Sequence, residues 1–151
     1  MQSYPHYYSV QAYAPVTGSV AVSAEGLPAL QTAPPAQFGG PGDQWSPETL
    51  FVGAAANCFV LTFRAIARAS SLSWIDLRCS AVGTLNQIDG KTRFTHLELR
   101  ARLAVPAGTD TAKVARLLQK AEHTCLITNS LALAPTFLYE IRSAENTDVA
   151  A

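Results

Sequence analysis

The chain has 151 residues, in which eleven Lys and Arg balance eleven Asp and Glu and 15% of the residues are charged. This length fits one domain, so we expect residues 1–151 to form a single domain with frayed ends at about 1–6 and 145–151. No net basic field is present to attract phosphate backbones, which argues against nucleic acid as a partner. A hydrophobic fraction of 48% leaves little charge to cover a lone subunit and favours an oligomer.

The three cysteines, at positions 58, 79 and 125, are odd in number and far apart. This spacing does not match the disulfide framework of a secreted domain, and no His/Cys cluster has zinc-ligand spacing. The N-terminus lacks the basic and apolar regions of a secretory signal. Because Asn57 and Arg64 interrupt the apolar segment around Cys58, that segment is predicted to be too short to span a membrane. We therefore expect a cytoplasmic protein with no structural metal and no membrane partner.

The N-terminal third of the chain predicts a β-meander. Residues 7–14 and 18–24 are short runs rich in Val, Tyr and Ser, and they flank a Pro-Val-Thr-Gly turn. A third strand is expected near Leu30, before two consecutive prolines that cannot donate to a strand ladder. Glycines and a proline at residues 39–43 then predict a loop.

A long helix is predicted from residue 47 to about residue 70. Ser46 can cap its exposed amides, a proline occupies its first position, and Glu48 complements the helix dipole. The first half of this helix has almost no polar face, so we expect it to be buried all round, as a central helix shared with a second subunit would be.

Next in the chain, alternating apolar and polar residues predict a β-hairpin. Residues 76–85 form a half-buried strand, Asp89 and Gly90 supply the turn, and residues 93–105 form a longer second strand. In the second strand, five residues should face inward: Leu97, Leu99, Ala101, Leu103 and Val105.

A second helix and a final strand complete the predicted elements. Thr109 or Asp110 can cap the helix, and Cys125 falls on its apolar face. The apolar positions of that face follow helical spacing: Val114, Leu117, Leu118, Ala121 and Cys125. Residues 136–143 then predict a last strand, which closes the domain.

Each cysteine has a plain structural interpretation, because a buried thiol usually behaves as a small inert hydrophobe. Cys58 lies in the most apolar segment, strand alternation alone explains Cys79, and helical periodicity explains Cys125. Two cysteines on the inner faces of two helices are compatible with a redox pair but do not demonstrate one.

Taken together, two local motifs resemble the OsmC/Ohr family, the osmotically induced and organic hydroperoxide resistance proteins. Residues 46–59 read Ser-Pro-Glu-Thr-Leu-Phe-Val-Gly-Ala-Ala-Ala-Asn-Cys-Phe, and residues 121–130 read Ala-Glu-His-Thr-Cys-Leu-Ile-Thr-Asn-Ser. The resemblance extends over most of the chain and implies an α+β OsmC-like fold. Each subunit of that fold contains a β-meander, a long buried central helix, a hairpin, a second helix and a final strand. Two such subunits form an intertwined homodimer.

The resemblance also implies a thiol-dependent peroxidase that reduces organic hydroperoxides. By position, Cys58 would attack the peroxide and become a sulfenic acid, and Cys125 would condense with it to a disulfide. Glu48 matches the glutamate of the family site. No bound cofactor is implied, since an external dithiol would close the cycle.

Such chemistry needs the thiolate, so a cation near Cys58 is expected. The family's better-known peroxidases use an arginine from the N-terminal β-region, held by the glutamate that matches Glu48, yet no Arg or Lys precedes Arg64 here. Arg64 lies some 120° around the helix from Cys58. The other candidates, from either chain, are Arg93, Arg100 and Arg102; strand alternation places the last two toward solvent.

Other functions stay open at this point. The chain could be a non-peroxidatic OsmC-like protein that binds an apolar small molecule or senses redox state, and no particular residue favours a purely structural interaction protein. Glu48 also has a plain alternative, because an acidic residue in the first turn stabilises a helix without any catalytic duty.

Overall fold

The computed structural model describes residues 3–144, which form two compact units that divide between Phe51 and Val52. Each unit contains one three-stranded sheet, so the predicted α+β class is confirmed. The single domain expected over residues 1–151 stays a prediction. The fraying expected at residues 145–151 lies outside the described residues.

The N-terminal unit contains the predicted β-meander. Its three strands pair antiparallel in chain order. They are β1 (Gln11–Tyr13), β2 (Val20–Ser23) and β3 (Leu30–Thr32). All three are short, and a turn of 3-10 helix at Ala36–Phe38 precedes the predicted loop. The meander and its third strand are therefore confirmed, with shorter first and second strands than the sequence predicts.

Helix α1 (Pro47–Ala69) begins where the sequence predicts. The Ser46 hydroxyl accepts a hydrogen bond from the Thr49 amide at 3.2 Å, and the Thr49 hydroxyl accepts one from the Ser46 amide at 2.8 Å. This reciprocal pair satisfies two amides at the helix N-terminus. At the other end Ser71 adopts a left-handed conformation (φ 49°), and the Leu72 amide bonds back to the Ala67 carbonyl at 2.9 Å, which closes the helix.

Burial of α1 within one chain is restricted to one face. Its fully buried residues recur every fourth position: Ala55, Phe59, Phe63 and Ala67. The expectation that the first half is buried all round is therefore wrong for a single chain, because the elements of that chain pack against one side of the helix. Leu61, on another face, is 50% exposed.

The expectation that this segment is too short to span a membrane is also wrong. The helix has 23 residues, and its most apolar stretch has a mean hydropathy of 1.7. Asn57 and Arg64 do not interrupt the helix, since both side chains lie on exposed positions. Core helices of globular proteins share this length and hydropathy, and the buried stripe of α1 packs in a folded core.

The predicted hairpin consists of β4 (Asp76–Ile88) and β5 (Lys91–Val105), which pair antiparallel. Both strands extend to the turn, where Asp89 (φ 50°) and Gly90 (φ 73°) take the left-handed conformations of a two-residue hairpin loop. The five β5 residues predicted to face inward are all buried: Leu97, Leu99, Ala101, Leu103 and Val105. The opposite face of β5 carries Glu98, Arg100 and Arg102.

Helix α2 (Thr111–Thr124) is capped by Asp110, whose carboxylate accepts bonds from the amides of residues 112 and 113 at 2.9 and 3.0 Å. Cys125 follows with extended backbone angles (φ −68°, ψ 111°) and separates α2 from a short helix α3 (Leu126–Asn129). The helix thus ends one residue before Cys125. The periodic pattern passes through this break because Cys125 still faces the core.

Strand β6 (Thr136–Ser143) has the bounds that the sequence predicts, and it pairs parallel with β5. A parallel partner requires a long crossover connection, which α2 and α3 supply. The sheet order β4-β5-β6 places β5 in the centre. One core then forms from the inner face of β5, the stripe of α1, the inner face of α2 and Cys125.

A polar bond crosses between helix α2 and the sheet. The Tyr139 hydroxyl donates to a carboxylate oxygen of Glu122, and both side chains are half-buried. Residue 139 is also among those that pack against the core. This bond therefore fixes the last turn of α2 against β6.

We expect Tyr139→Phe to reduce the free energy of unfolding by about 1–3 kcal/mol, because it leaves the half-buried Glu122 carboxylate without its donor. Urea unfolding at pH 7 measures the change. The matched control is Tyr13→Phe, which removes the same hydroxyl from a side chain that is 72% exposed. Equal stability of the two variants would show that the Tyr139–Glu122 bond contributes nothing to the fold.

Candidate functional site: a cluster of thiols in the C-terminal unit

Cys58 lies on the flank of helix α1. Its neighbour Phe59 points into the core, so Cys58, about 100° further around the helix, lies at the edge of the core and is half-buried. The Ile127 amide donates a hydrogen bond to the Cys58 sulfur at 3.5 Å, and the Thr62 hydroxyl lies 4.0 Å from it. Helix α3, which begins next to Cys125, thus contacts the Cys58 thiol directly.

Cys125 is fully buried at the junction of α2 and α3. Burial raises the pKa of the Cys125 thiol, hydrogen bonds from Thr128 lower it in part, and the neighbouring Cys58 thiol raises it again. Thr128 also ties the junction together, because its hydroxyl donates to the Cys125 carbonyl at 3.2 Å. Cys125 is therefore held as a neutral thiol at neutral pH.

The structure places Cys58 close to Cys125. The Cys58 thiol is near enough to raise the pKa of Cys125, and the Ile127 amide that donates to the Cys58 sulfur is two residues beyond Cys125. All three cysteines are free thiols. Two thiols that are distant in sequence thus share one place at the edge of the core, while their catalytic roles stay predictions.

Glu48 lies in the first turn of α1, within the N-terminal unit. It is half-buried, and its Oε2 atom is enclosed without a hydrogen-bond partner among residues 3–144. A buried carboxylate oxygen without a donor is costly. Its place beside the two cysteines stays a prediction.

The arginines considered as activators lie on exposed positions. Arg100 pairs with Glu98 at 2.6 Å, and Arg102 pairs with Glu140 at 3.0 Å. Alternation along β5 turns both away from the core, as the sequence predicts, and Arg64 is exposed on α1. Within the described part of the chain, the polar partners found for the Cys58 sulfur are the neutral groups of Ile127 and Thr62.

Sequence reasoning did not find Tyr139 as a neighbour of the site. Burial raises the pKa of Tyr139 above its ordinary value, and the hydrogen bond to Glu122, the Glu122 charge and the Cys79 thiol raise it further. The alternation of the last strand, which turns Tyr139 toward the core, was the available signal. Its ring stacks with Phe59 and Phe137 at centroid distances of 6.3 and 6.2 Å and forms a wall beside α1.

His123 is the histidine nearest to Cys125 in sequence. His123 is exposed and its Nδ1 lies 2.7 Å from the Gln119 carbonyl, so it points away from Cys125, as helical geometry predicts. Among residues 3–144 we find no group of three His, Cys, Asp or Glu side chains that could hold a metal ion.

The chain is similar in sequence to known proteins. Residues 40–140 match the family described as OsmC-like protein. An uncharacterised protein of Bacillus subtilis, YmaD, is 30% identical over 102 residues, which are 64% of this chain and 67% of that protein.

Solved structures share the fold at lower identity. An OsmC-like protein of unknown function from Vibrio cholerae superposes with a TM-score of 0.73 at 22% identity, covering 80% of this chain and 83% of the other. An organic hydroperoxide resistance protein from Elizabethkingia anophelis also has a TM-score of 0.73, at 20% identity, covering 91% of this chain and 99% of the other. By the family match and the fold together, the chain belongs to the OsmC-like proteins.

Proposed function

We propose that this protein is a thiol-dependent peroxidase that reduces organic hydroperoxides, with Cys58 as the attacking cysteine and Cys125 as the resolving cysteine. The observation that carries the proposal is the hydrogen bond from the Ile127 amide to the Cys58 sulfur, which brings Cys58 against the short helix that begins directly after the buried Cys125. Membership of the OsmC-like family supports it, as does the fold shared with a protein named for organic hydroperoxide resistance.

In the first step the Cys58 thiolate attacks one peroxide oxygen. The O–O bond breaks, a sulfenic acid forms on Cys58, and the alkoxide that leaves takes a proton to become an alcohol. Sulfur is oxidised by two electrons and the peroxide is reduced by two. The Ile127 amide, which donates to the Cys58 sulfur at 3.5 Å, supports this step because it holds that sulfur in place.

In the second step the Cys125 sulfur attacks the sulfenic acid. The S–O bond of Cys58 breaks, the disulfide forms, and the Cys125 proton leaves with the hydroxyl as water. The raised pKa of Cys125 supports this division of labour, since a buried neutral thiol does not compete for peroxide. An external dithiol, itself oxidised to a disulfide, then returns both cysteines to thiols.

We propose that the Glu48 carboxylate pairs with a cationic side chain and does not contact a cysteine sulfur. Its enclosed Oε2 atom lacks a donor among the described residues, and an arginine of a second subunit would satisfy it and supply positive charge. The absence of Arg and Lys before Arg64 excludes the usual N-terminal arginine of the same chain.

We also propose that the protein works as a homodimer in the cytoplasm. The half-exposed Leu61 on helix α1 supports a second copy, because that helix is apolar beyond its buried face. Three free cysteines suit a reducing compartment in which dithiol reductants are present.

We expect Cys58→Ser to reduce consumption of cumene hydroperoxide to the uncatalysed background, a drop of roughly 10³-fold or more, because a hydroxyl is a far weaker nucleophile. The rate is followed with dithiothreitol as the dithiol. Asn57→Ser, an exposed change at the adjacent position, is the matched control and should keep the parental rate. Parental activity in Cys58→Ser would refute the proposed function.

We expect Cys125→Ser to keep the first step and lose the second. Its Cys58 should therefore persist as a sulfenic acid after one equivalent of hydroperoxide and be labelled by dimedone, whereas the parental protein forms a disulfide within one chain. Peptide mass spectrometry distinguishes the two products. Thr124→Ser, at the exposed neighbouring position, should behave as the parent. Disulfide formation by Cys58 in the absence of Cys125 would exclude Cys125 as the resolving residue.

In sedimentation equilibrium at micromolar concentration, we expect a mass of two 16.1 kDa chains. Burial of the apolar outer side of α1 provides the driving force. A mass of one chain at these concentrations would contradict the homodimer.

A further inference from the structure

Cys79, which the peroxidase chemistry does not use, belongs to the same interior as the other two cysteines. Cys125 is part of the buried core, and Cys58 and Cys79 both pack against it. These residues come from three different elements: α1, β4 and the α2–α3 junction. The fold thus collects all the sulfhydryl groups of the chain around one core.

The strand register places Cys79 in a row across the sheet that leads toward Cys125. Cys79 pairs with Ala101, and Ala101 pairs with Tyr139. Neighbouring strands are ~4.8 Å apart, so the Cα atoms of Cys79 and Tyr139 are about 10 Å apart with only a methyl group between them. The Tyr139 hydroxyl reaches Glu122, in the last turn of α2 before Cys125. The row of Cys79, Ala101 and Tyr139 therefore lies against the end of α2 that Cys125 follows.

Electrostatic contact supports the same neighbourhood. Burial raises the pKa of Cys79 to about 11, and the Cys125 thiol contributes to the rise. The Cys79 thiol in turn raises the pKa of Tyr139. Each of these groups therefore lies within reach of the charge on the next, so both Cys58 and Cys79 are neighbours of Cys125.

Cys125 lies at the break between two helices, where its backbone angles are extended, φ −68° and ψ 111°. The sulfhydryl of Cys79 makes only a weak contact, with the Ser80 carbonyl at 3.9 Å.

We infer that Cys79 is a third redox cysteine, which exchanges with the Cys58–Cys125 disulfide and stores the oxidising equivalent as a Cys79–Cys125 disulfide. The inference rests on the proposed function, because the peroxidase reaction supplies the first disulfide. It gives the chain a relay: Cys125 accepts oxidation from Cys58 and passes it to Cys79.

The exchange balances without any external oxidant. The Cys79 thiolate attacks the Cys125 sulfur, the bond between Cys79 and Cys125 forms, and the bond between Cys58 and Cys125 breaks. Cys58 leaves as a thiolate and is ready for a second hydroperoxide molecule. That second molecule produces a sulfenic acid on Cys58, which has no free resolving partner while Cys125 is bonded to Cys79.

The rate of exchange should rise steeply with pH. Below a pKa of about 11 for Cys79, its thiolate fraction increases tenfold for each pH unit. Between pH 7 and pH 8.5 the exchange should therefore accelerate about 30-fold. This dependence separates a relay through Cys79 from a direct reaction of Cys58.

The test uses the reduced full-length protein without any dithiol, titrated with cumene hydroperoxide at pH 8.5 in the presence of dimedone. We expect the parental protein to consume about two equivalents per chain, and peptide mass spectrometry to find a Cys79–Cys125 disulfide with dimedone on Cys58. Cys79→Ala should stop at about one equivalent, with a Cys58–Cys125 disulfide and no dimedone adduct.

Ala81→Ser is the matched control, since it lies two residues along the same inward face of β4 and keeps all three sulfurs. It should consume two equivalents. Cys79→Ser replaces Cys79→Ala if the latter folds poorly. Mapping of the disulfides in the parental protein requires no variant.

The outcomes separate the two proposals. One equivalent per parental chain, with a Cys58–Cys125 disulfide and Cys79 still open to alkylation, overturns the relay and leaves the peroxidase intact. Two equivalents in Cys79→Ala also overturn it. A parental protein that consumes no hydroperoxide removes the peroxidase, and the relay with it.

Discussion

The packing of helix α1 on the inner face of β5 is the contact on which the rest of the C-terminal unit depends. Phe59 and Phe63 are fully buried there, and each contributes about 1.5–3 kcal/mol from removal of apolar surface from water. Small residues on the same stripe, Ala55 and Ala67, allow close approach. Once Phe59 is anchored, the helix period fixes Cys58 at the edge of the core, facing the segment that contains Ile127.

A second constraint is the burial of polar groups at the end of α2. Tyr139 donates to Glu122 across the boundary between sheet and helix, and Thr128 binds the backbone of the α2–α3 junction. Buried polar groups of this kind tolerate few alternative arrangements, because a displaced partner leaves an unsatisfied atom behind. They therefore hold Cys125 in register with Cys58 more strictly than hydrophobic contacts alone would.

The electrostatics of the cluster separate the roles of its thiols. Burial raises the pKa of both Cys79 and Cys125, and the charge of each neighbour adds to the effect, so these two remain protonated at neutral pH. Cys58, at the edge of the core, accepts a hydrogen bond from the Ile127 amide. The three thiols thus differ in burial, with Cys58 at the edge of the core and Cys125 inside it.

The sequence by itself determined the local elements, because caps, turns and periodicity are encoded within a few residues. Ser46 and Asp110 start their helices as predicted, Asp89 and Gly90 form the hairpin turn, and β6 has its predicted bounds. The motifs around Cys58 and Cys125 also pointed to the OsmC-like family, which the family match bears out.

Only the tertiary structure decided which segments meet. Four features depend on contacts between distant parts of the chain: the parallel pairing of β6, the break in the helix before Cys125, the one-sided burial of α1, and the packing of Cys79 against the core that contains Cys125. The residues adjacent in sequence do not encode such long-range contacts. Alternation turns Cys79 inward, but the packing of α2 over the sheet decides that another sulfur lies there.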